Sequence, residues 1–246
     1  MAWTLPDDGV LGIFGKKPEP GRVKTRLALE WGPDLAAQIH EAMLFDTLET
    51  WDSEAILSSG GRRVLVYAPD DAGPWFDERV PASFALQPQV GGDLGQRMQA
   101  FLAGELEEGA QRVVLIGSDS PTLDPTIVVS AFLCLESRDV VLGPATDGGY
   151  YLVGVRRQVP PIFDAIDWSS PRVLSQTIDR LEDTGLSMAI LPPWYDVDTP
   201  DDVRMLAGHL RALRRAGFPA GLPRLEHWCQ SQPFSITGVR GRRQFP

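Results

Sequence analysis

A basic loop near the N-terminus is the first feature of this sequence with an evident chemical use. Residues 16–26 read Lys-Lys-Pro-Glu-Pro-Gly-Arg-Val-Lys-Thr-Arg, so five basic residues and one acidic residue give a charge of +4 in a chain of net charge −10. Lysine supplies a point charge and arginine a bidentate fork for phosphate oxygens, and glycine permits close backbone approach. We therefore expect a polyphosphate site whose contacts come from Lys16, Lys17, Gly21, Arg22, Lys24 and Arg26.

The loop differs from the two common glycine-rich phosphate motifs. Five residues separate Gly15 from Gly21 and Arg22 follows, whereas a Walker A loop has four residues between its glycines and ends in Gly-Lys-Ser/Thr. The Gly-x-Gly-x-x-Gly fingerprint of dinucleotide-binding folds does not occur either. The alternative to a phosphate site is a basic loop that is simply solvated.

Two aspartate motifs suit a divalent cation. Asp119 lies in Gly-Ser-Asp-Ser-Pro, directly after an apolar run, and Asp196 and Asp198 alternate along an extended segment. Alternate side chains of an extended segment point the same way. Because Mg²⁺ takes one or two carboxylates together with phosphate oxygens, these three aspartates are candidate ligands. The alternative for Asp119 is a cap on the following turn.

A glycine turn precedes a predicted helix at residues 91–93. Its sequence, Gly91-Gly92-Asp93, could offer backbone N–H groups to a nucleotide or form a tight strand-to-helix turn.

A second glycine motif follows another apolar run. Adjacent glycines leave room for a substrate beside Asp147, and the tyrosines after them could line the binding site of a sugar or a base. Turn chemistry alone would also explain the motif. Trp168 and Ser169, ahead of a helix, could contact an acceptor. The candidate residues on this side are Asp147, Gly148, Gly149, Tyr150, Trp168 and Ser169.

Composition narrows the class of protein. The net charge of −10 argues against non-specific binding to nucleic acid or to an anionic membrane, so a small-molecule ligand is the better expectation. The sequence has no recognisable leader and no apolar stretch long enough to span a bilayer, and it holds two distant cysteines, which together predict a cytoplasmic protein. No Gly-x-Ser-x-Gly motif supports a serine hydrolase, and the three histidines fall in predicted helices or the tail.

The elements that must position these residues alternate along the chain. Short apolar runs predict strands, and amphipathic segments between them predict helices, which is the pattern of an α/β protein with a mainly parallel sheet. Strands are predicted at residues 10–14, 64–68, 84–86, 113–116, 140–142, 151–155 (which could run antiparallel) and 188–191; helices are predicted at residues 33–51, 94–108, 125–136, 171–184 and 200–215. Because ligands bind where parallel strands end, the motifs should meet at one edge of the sheet.

Two parts of unequal length are predicted. Residues 1–216 should form one transferase-like domain, and residues 217–246 an Arg/Pro/Gly-rich C-terminal extension. The arginines of this extension could meet the acidic body or cover an anionic ligand.

Five motifs in this order resemble those of a known family. They are residues 17–27, 91–98, 117–121, 147–152 and 196–199. Together they resemble the bacterial selenodomain-associated (radical-SAM-associated) transferase 1 family of the nucleotide-diphospho-sugar transferase superfamily, and the first is also similar to that of the phospholactate guanylyltransferases. The resemblance covers about residues 10–210.

The resemblance implies a GT-A fold, with a nucleotide bound across the carboxyl edge of the sheet. It places Lys24 and Arg26 on the phosphates and a Mg²⁺ or Mn²⁺ ion on Asp119. One departure is Ser118-Asp119-Ser120, where glycosyltransferases of this fold usually carry Asp-x-Asp. A second carboxylate would then come from Asp196 or Asp198.

Three functions remain open at this point. The leading one is a glycosyltransferase that uses a nucleotide-sugar, with Lys24 and Arg26 stabilising the leaving diphosphate and Asp147 acting as base or orienter for a hydroxylic acceptor. The alternative is a nucleotidyltransferase, related to guanylyltransferases, that releases pyrophosphate. A nucleotide-binding protein without turnover is the third. The sequence leaves the base, the sugar, the acceptor and the oligomeric state open.

Overall fold

One mixed sheet forms the centre of the molecule. The computed structural model describes residues 4–53, 60–218 and 220–231. The strands in chain order are β1 (Gly9–Lys16), β2 (Arg62–Ala68), β3 (Ala85–Pro88), β4 (Arg112–Gly117), β5 (Val140–Pro144), β6 (Tyr150–Arg156) and β7 (Met188–Ile190). Their spatial order is β3-β2-β1-β4-β6-β5-β7, and only β6 runs antiparallel to its neighbours. The predicted α/β class with a mainly parallel sheet is confirmed.

Helices cover both faces of this sheet. They are α1 (Thr25–Trp31), α2 (Pro33–Trp51), α3 (Gly73–Asp77), α4 (Leu94–Glu107), α5 (Pro125–Cys134), α6 (Val173–Glu182), α7 (Pro200–Arg215) and α8 (Pro223–Ser231). The five helices predicted from the sequence are present, whereas the short helices α1, α3 and α8 were missed. Helix α7 begins where its sequence predicts, because Thr199 and Asp202 form a capping box.

Three hydrophobic clusters hold the layers together. One packs α2 and α5 against one face of the sheet through residues such as Leu44 and Phe132, and a second packs α4 against the other face through Phe101. The third lies between helices α1, α2, α7 and α8 and includes Ile39, Leu206 and Trp228. The third cluster therefore packs α1 and α2 against α7 and α8.

The described part of the C-terminal extension packs on the body. Helix α8 contributes Leu225 and Trp228 to the third cluster, and Trp228 stacks on Trp31 at 6.2 Å between ring centroids. Arg224 pairs with the acidic residues Asp46 and Glu49 of α2. For this arginine, the expectation that the extension meets the acidic body holds. Residues 232–246 lie outside the described residues, and the division at residue 217 stays a prediction.

Within the described ranges, no helix combines the length and the apolar character that crossing a bilayer requires.

Candidate active site

Three charged residues from distant parts of the chain meet at the carboxyl edge of the sheet. The Lys24 ammonium Nζ lies 2.7 Å from Asp119 Oδ1 and 2.8 Å from Asp198 Oδ1, and the lysine side chain is only 4% exposed. Burial alone would lower the pKa of Lys24, but the two carboxylates outweigh burial and raise this pKa above its usual value. Lys24 is therefore a fixed positive charge at neutral pH.

The backbone of the basic loop aims Lys24 inward. Lys24 has φ 47° and ψ 48°, a left-handed conformation that costs a lysine roughly 1–2 kcal/mol. It is the N-cap of α1, whose first turn closes through Ala28 N–H to the Lys24 carbonyl at 2.9 Å. Val23 and Leu27 on either side are buried and anchor the turn in the protein. Such strain persists where surrounding contacts fix it, and here they fix a charged side chain.

Asp119 is held by the segment that carries the other two aspartates. It follows β4, and its carbonyl accepts the Val197 N–H at 2.9 Å. Burial raises the pKa of the Asp119 carboxyl, but Lys24 and then His40 lower it, so the pKa lies below its ordinary value. The side chain is nevertheless 43% exposed. Asp119 is thus an ionised carboxylate with an open side.

Asp196 completes a concentration of negative charge. The Ser120 hydroxyl donates a short hydrogen bond to Asp196 Oδ1. Burial, together with the nearby carboxylates of Asp119, Asp147 and Asp198, raises the pKa of Asp196 to about 6, against the lowering effect of Ser120. The sequence prediction that Asp119, Asp196 and Asp198 come together agrees with this geometry. We call these three residues with Lys24 the carboxylate cluster.

His40 belongs to this site and was not foreseen. From α2 its Nε2 lies 3.0 Å from the Lys16 carbonyl, and its Nδ1 lies 3.8 Å from Asp119 Oδ1. The ring is buried, Nδ1 has no hydrogen-bond partner among the described residues, and burial lowers the pKa of the imidazole. Ala36, His40, Met43 and Thr47 share one helical stripe, and all are buried. A histidine on a buried stripe was the available signal.

The other basic side chains of the loop lie further out. Lys17 and Arg22 both pair with Glu19, at 3.0 Å and 3.2 Å. Lys16 and Arg26 are exposed, and neither makes an ion pair with the part of the chain that the structure describes. Gly21 has φ +80° with open space around it. The loop therefore presents several cations to solvent beside the carboxylate cluster.

The turn at residues 91–93 is engaged by its own helix. Asp93 is the N-cap of α4 and forms a capping box with Gln96. The side-chain oxygen of Gln96 accepts the N–H groups of Gly92 and Asp93, at 3.0 Å and 3.2 Å. Gly91 has φ +119°. The tight-turn alternative accounts for these contacts, and a nucleotide role for Gly91, Gly92 and Asp93 stays a prediction.

The residues expected around the acceptor are largely occupied by packing. We call Asp147, Gly148, Gly149, Tyr150, Trp168 and Ser169 the acceptor side. Asp147 Oδ1 accepts the Gly149 N–H at 2.9 Å, and a Cβ at Gly148 would overlap the Pro171 backbone. Tyr150 and Trp168 form an edge-to-face pair with 6.4 Å between centroids.

Trp168 also covers the α4 residue Gly95, where a Cβ would collide with the indole ring. Burial raises the pKa of Tyr150 well above its usual value. Ser169 is exposed and has φ +66°. The two aromatic rings thus contact the protein's own interior, and an acceptor contact for them stays a prediction.

The carboxylates of this cluster supply part of the coordination that a divalent cation requires. Among the described residues, no group of three or more His, Cys, Asp or Glu side chains is arranged as a complete metal cage. Asp119 and Asp198 nevertheless converge on one cation, Lys24, and both side chains stay partly exposed. A cation that shares its coordination with phosphate oxygens needs no more than this. The residues therefore fit a metal that binds with a nucleotide.

Comparison with known proteins gives a consistent family. The family described as "Uncharacterized protein conserved in bacteria (DUF2064)" matches residues 52–170. A 3-phospho-D-glycerate guanylyltransferase of Phenylobacterium zucineum (strain HLK1) is 34% identical over 187 residues, which cover 73% of this chain and 81% of that protein.

Solved structures agree with that match. A candidate nucleotide-diphospho-sugar transferase from Desulfovibrio desulfuricans G20 superposes with a TM-score of 0.79 at 32% identity, over 89% of this chain and 94% of that one. A cytidylyltransferase from Leptospira borgpetersenii serovar Hardjo-bovis (strain JB197) shares the fold, with a TM-score of 0.52 at 13% identity over 96% and 98% of the two chains. The chain therefore belongs to the DUF2064 family and is related to 3-phospho-D-glycerate guanylyltransferase.

Proposed function

We propose that this protein is a nucleotidyltransferase that transfers a nucleoside monophosphate from a nucleoside triphosphate to a phosphorylated small molecule. The observation that carries the proposal is the buried Lys24 between Asp119 and Asp198, beside a loop of further cations, in a chain related to a guanylyltransferase. This was the alternative in the sequence analysis. The relatives support it better than glycosyl transfer, the leading interpretation there.

The reaction would transfer the α-phosphoryl group, with its nucleoside, from pyrophosphate to the acceptor's phosphate. An oxygen of the acceptor's phosphate attacks the α-phosphorus of the triphosphate, the bond from that phosphorus to the β-phosphate bridging oxygen breaks, and pyrophosphate leaves. Negative charge builds on the leaving pyrophosphate, so cations placed beforehand favour the transition state. Lys16, Lys17, Arg22 and Arg26 would stabilise the β- and γ-phosphates, with Lys24 on the inner side.

A divalent cation, Mg²⁺ or Mn²⁺, is part of the proposal. Asp119, Asp196 and Asp198 would hold it, and it would neutralise phosphate charge. Support comes from Asp119 and Asp198, which converge on Lys24 and keep partly exposed side chains.

A phosphorylated acceptor changes the expected role of Asp147. A phosphate monoester is already largely ionised at pH 7, so it needs no general base before it attacks. Asp147, whose carboxylate accepts the Gly149 N–H, is then a residue that shapes the acceptor side. By analogy with the guanylyltransferase relative, we propose guanosine triphosphate as donor and a phosphorylated hydroxy acid such as 3-phospho-D-glycerate as acceptor.

Glycosyl transfer is retained as a second candidate because of the Desulfovibrio relative, which is described as a nucleotide-diphospho-sugar transferase. Membership of the selenodomain-associated transferase 1 family is part of the proposal as well, since five colinear motifs support it.

The deciding experiment measures which leaving group appears. Purified protein is incubated with each nucleoside triphosphate and 3-phospho-D-glycerate, and separately with nucleotide-sugars, in Mg²⁺, Mn²⁺ or chelator. Acceptor-dependent pyrophosphate supports nucleotidyl transfer, and nucleoside diphosphate from a sugar donor supports glycosyl transfer instead. Nucleotide-induced thermal stabilisation with neither product would indicate a binding protein.

Matched variants connect the product to the site. Lys24→Met and Arg26→Met each remove one positive charge from the same loop, yet Lys24 is buried and ion-paired while Arg26 is exposed. Each should weaken nucleotide binding by about 1–3 kcal/mol, the range for hydrogen bonds to charged groups. Equal nucleotide affinity of both variants and the wild type in calorimetry would show that the basic loop is solvated and does not contact phosphate.

A further inference from the structure

One point in the carboxylate cluster already holds a cation. A single oxygen of Asp119 and a single oxygen of Asp198 lie 2.7 Å and 2.8 Å from the Lys24 ammonium. The lysine ammonium therefore occupies the position that these two oxygens share. The three residues are 79 to 174 positions apart in sequence, so the fold builds this arrangement.

We infer that Lys24 fills the cation position between Asp119 and Asp198 in the free protein and must leave it before a divalent cation can bind both carboxylates. The site would then accept a metal–nucleotide complex and bind free metal only weakly. This inference rests on the proposed function for the identity of the phosphate ligand.

The exposures distinguish this arrangement from an ordinary buried ion pair. The Lys24 side chain is 4% exposed, but the Asp119 and Asp198 side chains are 43% and 38% exposed. A purely structural pair would have its carboxylates covered as well, since exposed ion pairs contribute little to stability. Here the carboxylates keep an open side towards solvent while the ammonium occupies the inner side.

Among the residues that the structure describes, no other lysine or arginine forms an ion pair with Asp119 or Asp198. His40 is buried, and its Nδ1 lies 3.8 Å from Asp119 Oδ1, farther away than the Lys24 ammonium. Lys16 is exposed, and Lys17 and Arg22 pair with Glu19. Lys24 therefore supplies most of the positive charge that neutralises the carboxylates of Asp119 and Asp198.

Phosphate oxygens offer Lys24 an equivalent partner. A lysine is a point charge on a flexible four-carbon stem, so its ammonium can exchange a carboxylate for a phosphate with little backbone change. A metal ion alone would meet an ammonium in contact with the same two oxygens and be repelled by it. A nucleotide that arrives with the metal supplies anionic oxygens for both cations.

The test measures binding of Mn²⁺ alone to the full chain, without nucleotide, by the loss of the free-ion signal in electron paramagnetic resonance. Lys24→Met and Lys24→Gln, which remove the charge, should bind Mn²⁺ about tenfold more tightly than the wild type. Lys24→Arg, which keeps the charge, and Arg26→Met, which removes an exposed charge of the same loop, should bind it as weakly as the wild type. Adding Asp198→Asn to Lys24→Met should abolish the gain.

Each outcome decides the inference. Unchanged Mn²⁺ affinity in both uncharged variants, or no Mn²⁺ binding in any variant, overturns it, and so does an equal gain in Arg26→Met. Should both uncharged variants fail to fold, ¹⁵N NMR of the Lys24 ammonium in the wild type decides. Mg²⁺ alone should leave that signal in place, and Mg²⁺ with a non-hydrolysable GTP analogue should move it; a shift with Mg²⁺ alone would refute the exchange.

Failure of the proposed function would look different. Metal affinity is read without turnover, so a protein that gains Mn²⁺ affinity on loss of Lys24 but releases no pyrophosphate keeps this inference and loses nucleotidyl transfer. Acceptor-dependent pyrophosphate with no gain in Mn²⁺ affinity has the opposite meaning.

Discussion

The carboxylate cluster and the acceptor side contain similar residue types, but their polar side chains have different partners. Both place aspartates next to small residues at the end of a strand. In the carboxylate cluster, Lys24, Asp119 and Asp198 take their partners from one another across the fold. On the acceptor side, Asp147 bonds to its own turn, and Trp168 covers Gly95.

This difference separates turn chemistry from site chemistry. A polar group that finds its partner within a few residues satisfies a local backbone need. Charges that converge from distant segments form a site that a charged ligand can bind. The pKa of Asp196, raised to about 6, is a shift typical of functional sites. We therefore expect substitutions in the carboxylate cluster to reduce activity and substitutions on the acceptor side to reduce stability.

The largest expected effect is on activity. Asp119→Asn keeps the shape of the side chain but removes the charge that faces Lys24, and the rate of pyrophosphate release should fall on the order of 10³-fold. Asp147→Asn is the matched change on the acceptor side and should alter the rate by less than about tenfold. Steady-state kinetics measure both. Equal losses would show that the two regions contribute alike to catalysis.

The next effect concerns stability on the acceptor side. Trp168→Ala removes the ring that covers Gly95 and packs on Tyr150, and should lower the free energy of unfolding by about 3 kcal/mol. Urea denaturation measures the loss, with Trp168→Phe as a smaller deletion. The KM for nucleotide should stay at the wild-type value, and a raised KM in the folded variant would place Trp168 at the substrate.

The carboxylate cluster should also affect stability in a pH-dependent way. The pKa of Asp196 is about 6 in the folded chain against an ordinary value of 3.8, so the folded chain holds this proton more tightly than the unfolded chain. Protonation therefore stabilises the fold: the contribution is complete below about pH 4 and is lost as the pH rises through about 6, up to about 3 kcal/mol.

Comparison of Asp196→Asn with the wild type isolates this contribution. The difference between their free energies of unfolding, measured in chelator from pH 4 to pH 7, should change along that curve. Ser120→Ala should move the midpoint to higher pH, because the Ser120 hydroxyl favours the ionised carboxyl. A difference independent of pH would show that neither burial nor the neighbouring carboxylates raise the pKa of Asp196.

Two glycines allow a smaller comparison. Gly148→Ala introduces a left-handed alanine and a clash with the Pro171 backbone, whereas Gly21→Ala introduces a left-handed alanine in open space. We expect losses of stability of about 2 kcal/mol at Gly148 and about 1 kcal/mol at Gly21. Thermal denaturation measures the difference, which reports the contact with Pro171. Similar losses would mean that Pro171 yields to the methyl group.

Sequence patterns predicted the fold well because its determinants are local. Apolar runs located every strand of the described residues, and amphipathic segments, four of which begin at proline, located five helices. Helix α1 was missed because its seven residues begin at a left-handed lysine with no side-chain cap. Helix α8 was missed within an Arg/Pro/Gly-rich segment, although Leu222, Leu225 and Trp228 recur at helical spacing and are buried.

The site was predictable in its charges but not in its contacts. Charge patterning identified the basic loop and the three aspartates, yet the contact between Lys24 and Asp198 spans 174 positions and depends on the sheet order. His40 was set aside because it falls in a predicted helix, and its neighbour Asp119 lies on another element that the sequence does not bring next to it. The glycine and aromatic residues were ambiguous, because turns and packing select the same residue types as binding sites.

The smallest effect concerns the outer cations of the basic loop. Glu19 pairs with both Lys17 and Arg22, so Glu19→Gln should release two positive charges towards a polyphosphate. Nucleotide affinity should rise about threefold at low ionic strength and return to the wild-type value in high salt, because exposed charges are screened.

Glu30→Gln on α1 is the control, since it removes an equal charge that pairs with Arg204 outside the loop. Calorimetric titration at two salt concentrations separates the two variants. A gain that persists in high salt would show that Lys17 or Arg22 contacts the phosphates directly, because long-range charge effects are screened. If Glu30→Gln gives the same gain, the outer cations act through the general charge of the protein. Contact with the phosphates would then not depend on the release of Lys17 and Arg22 from Glu19.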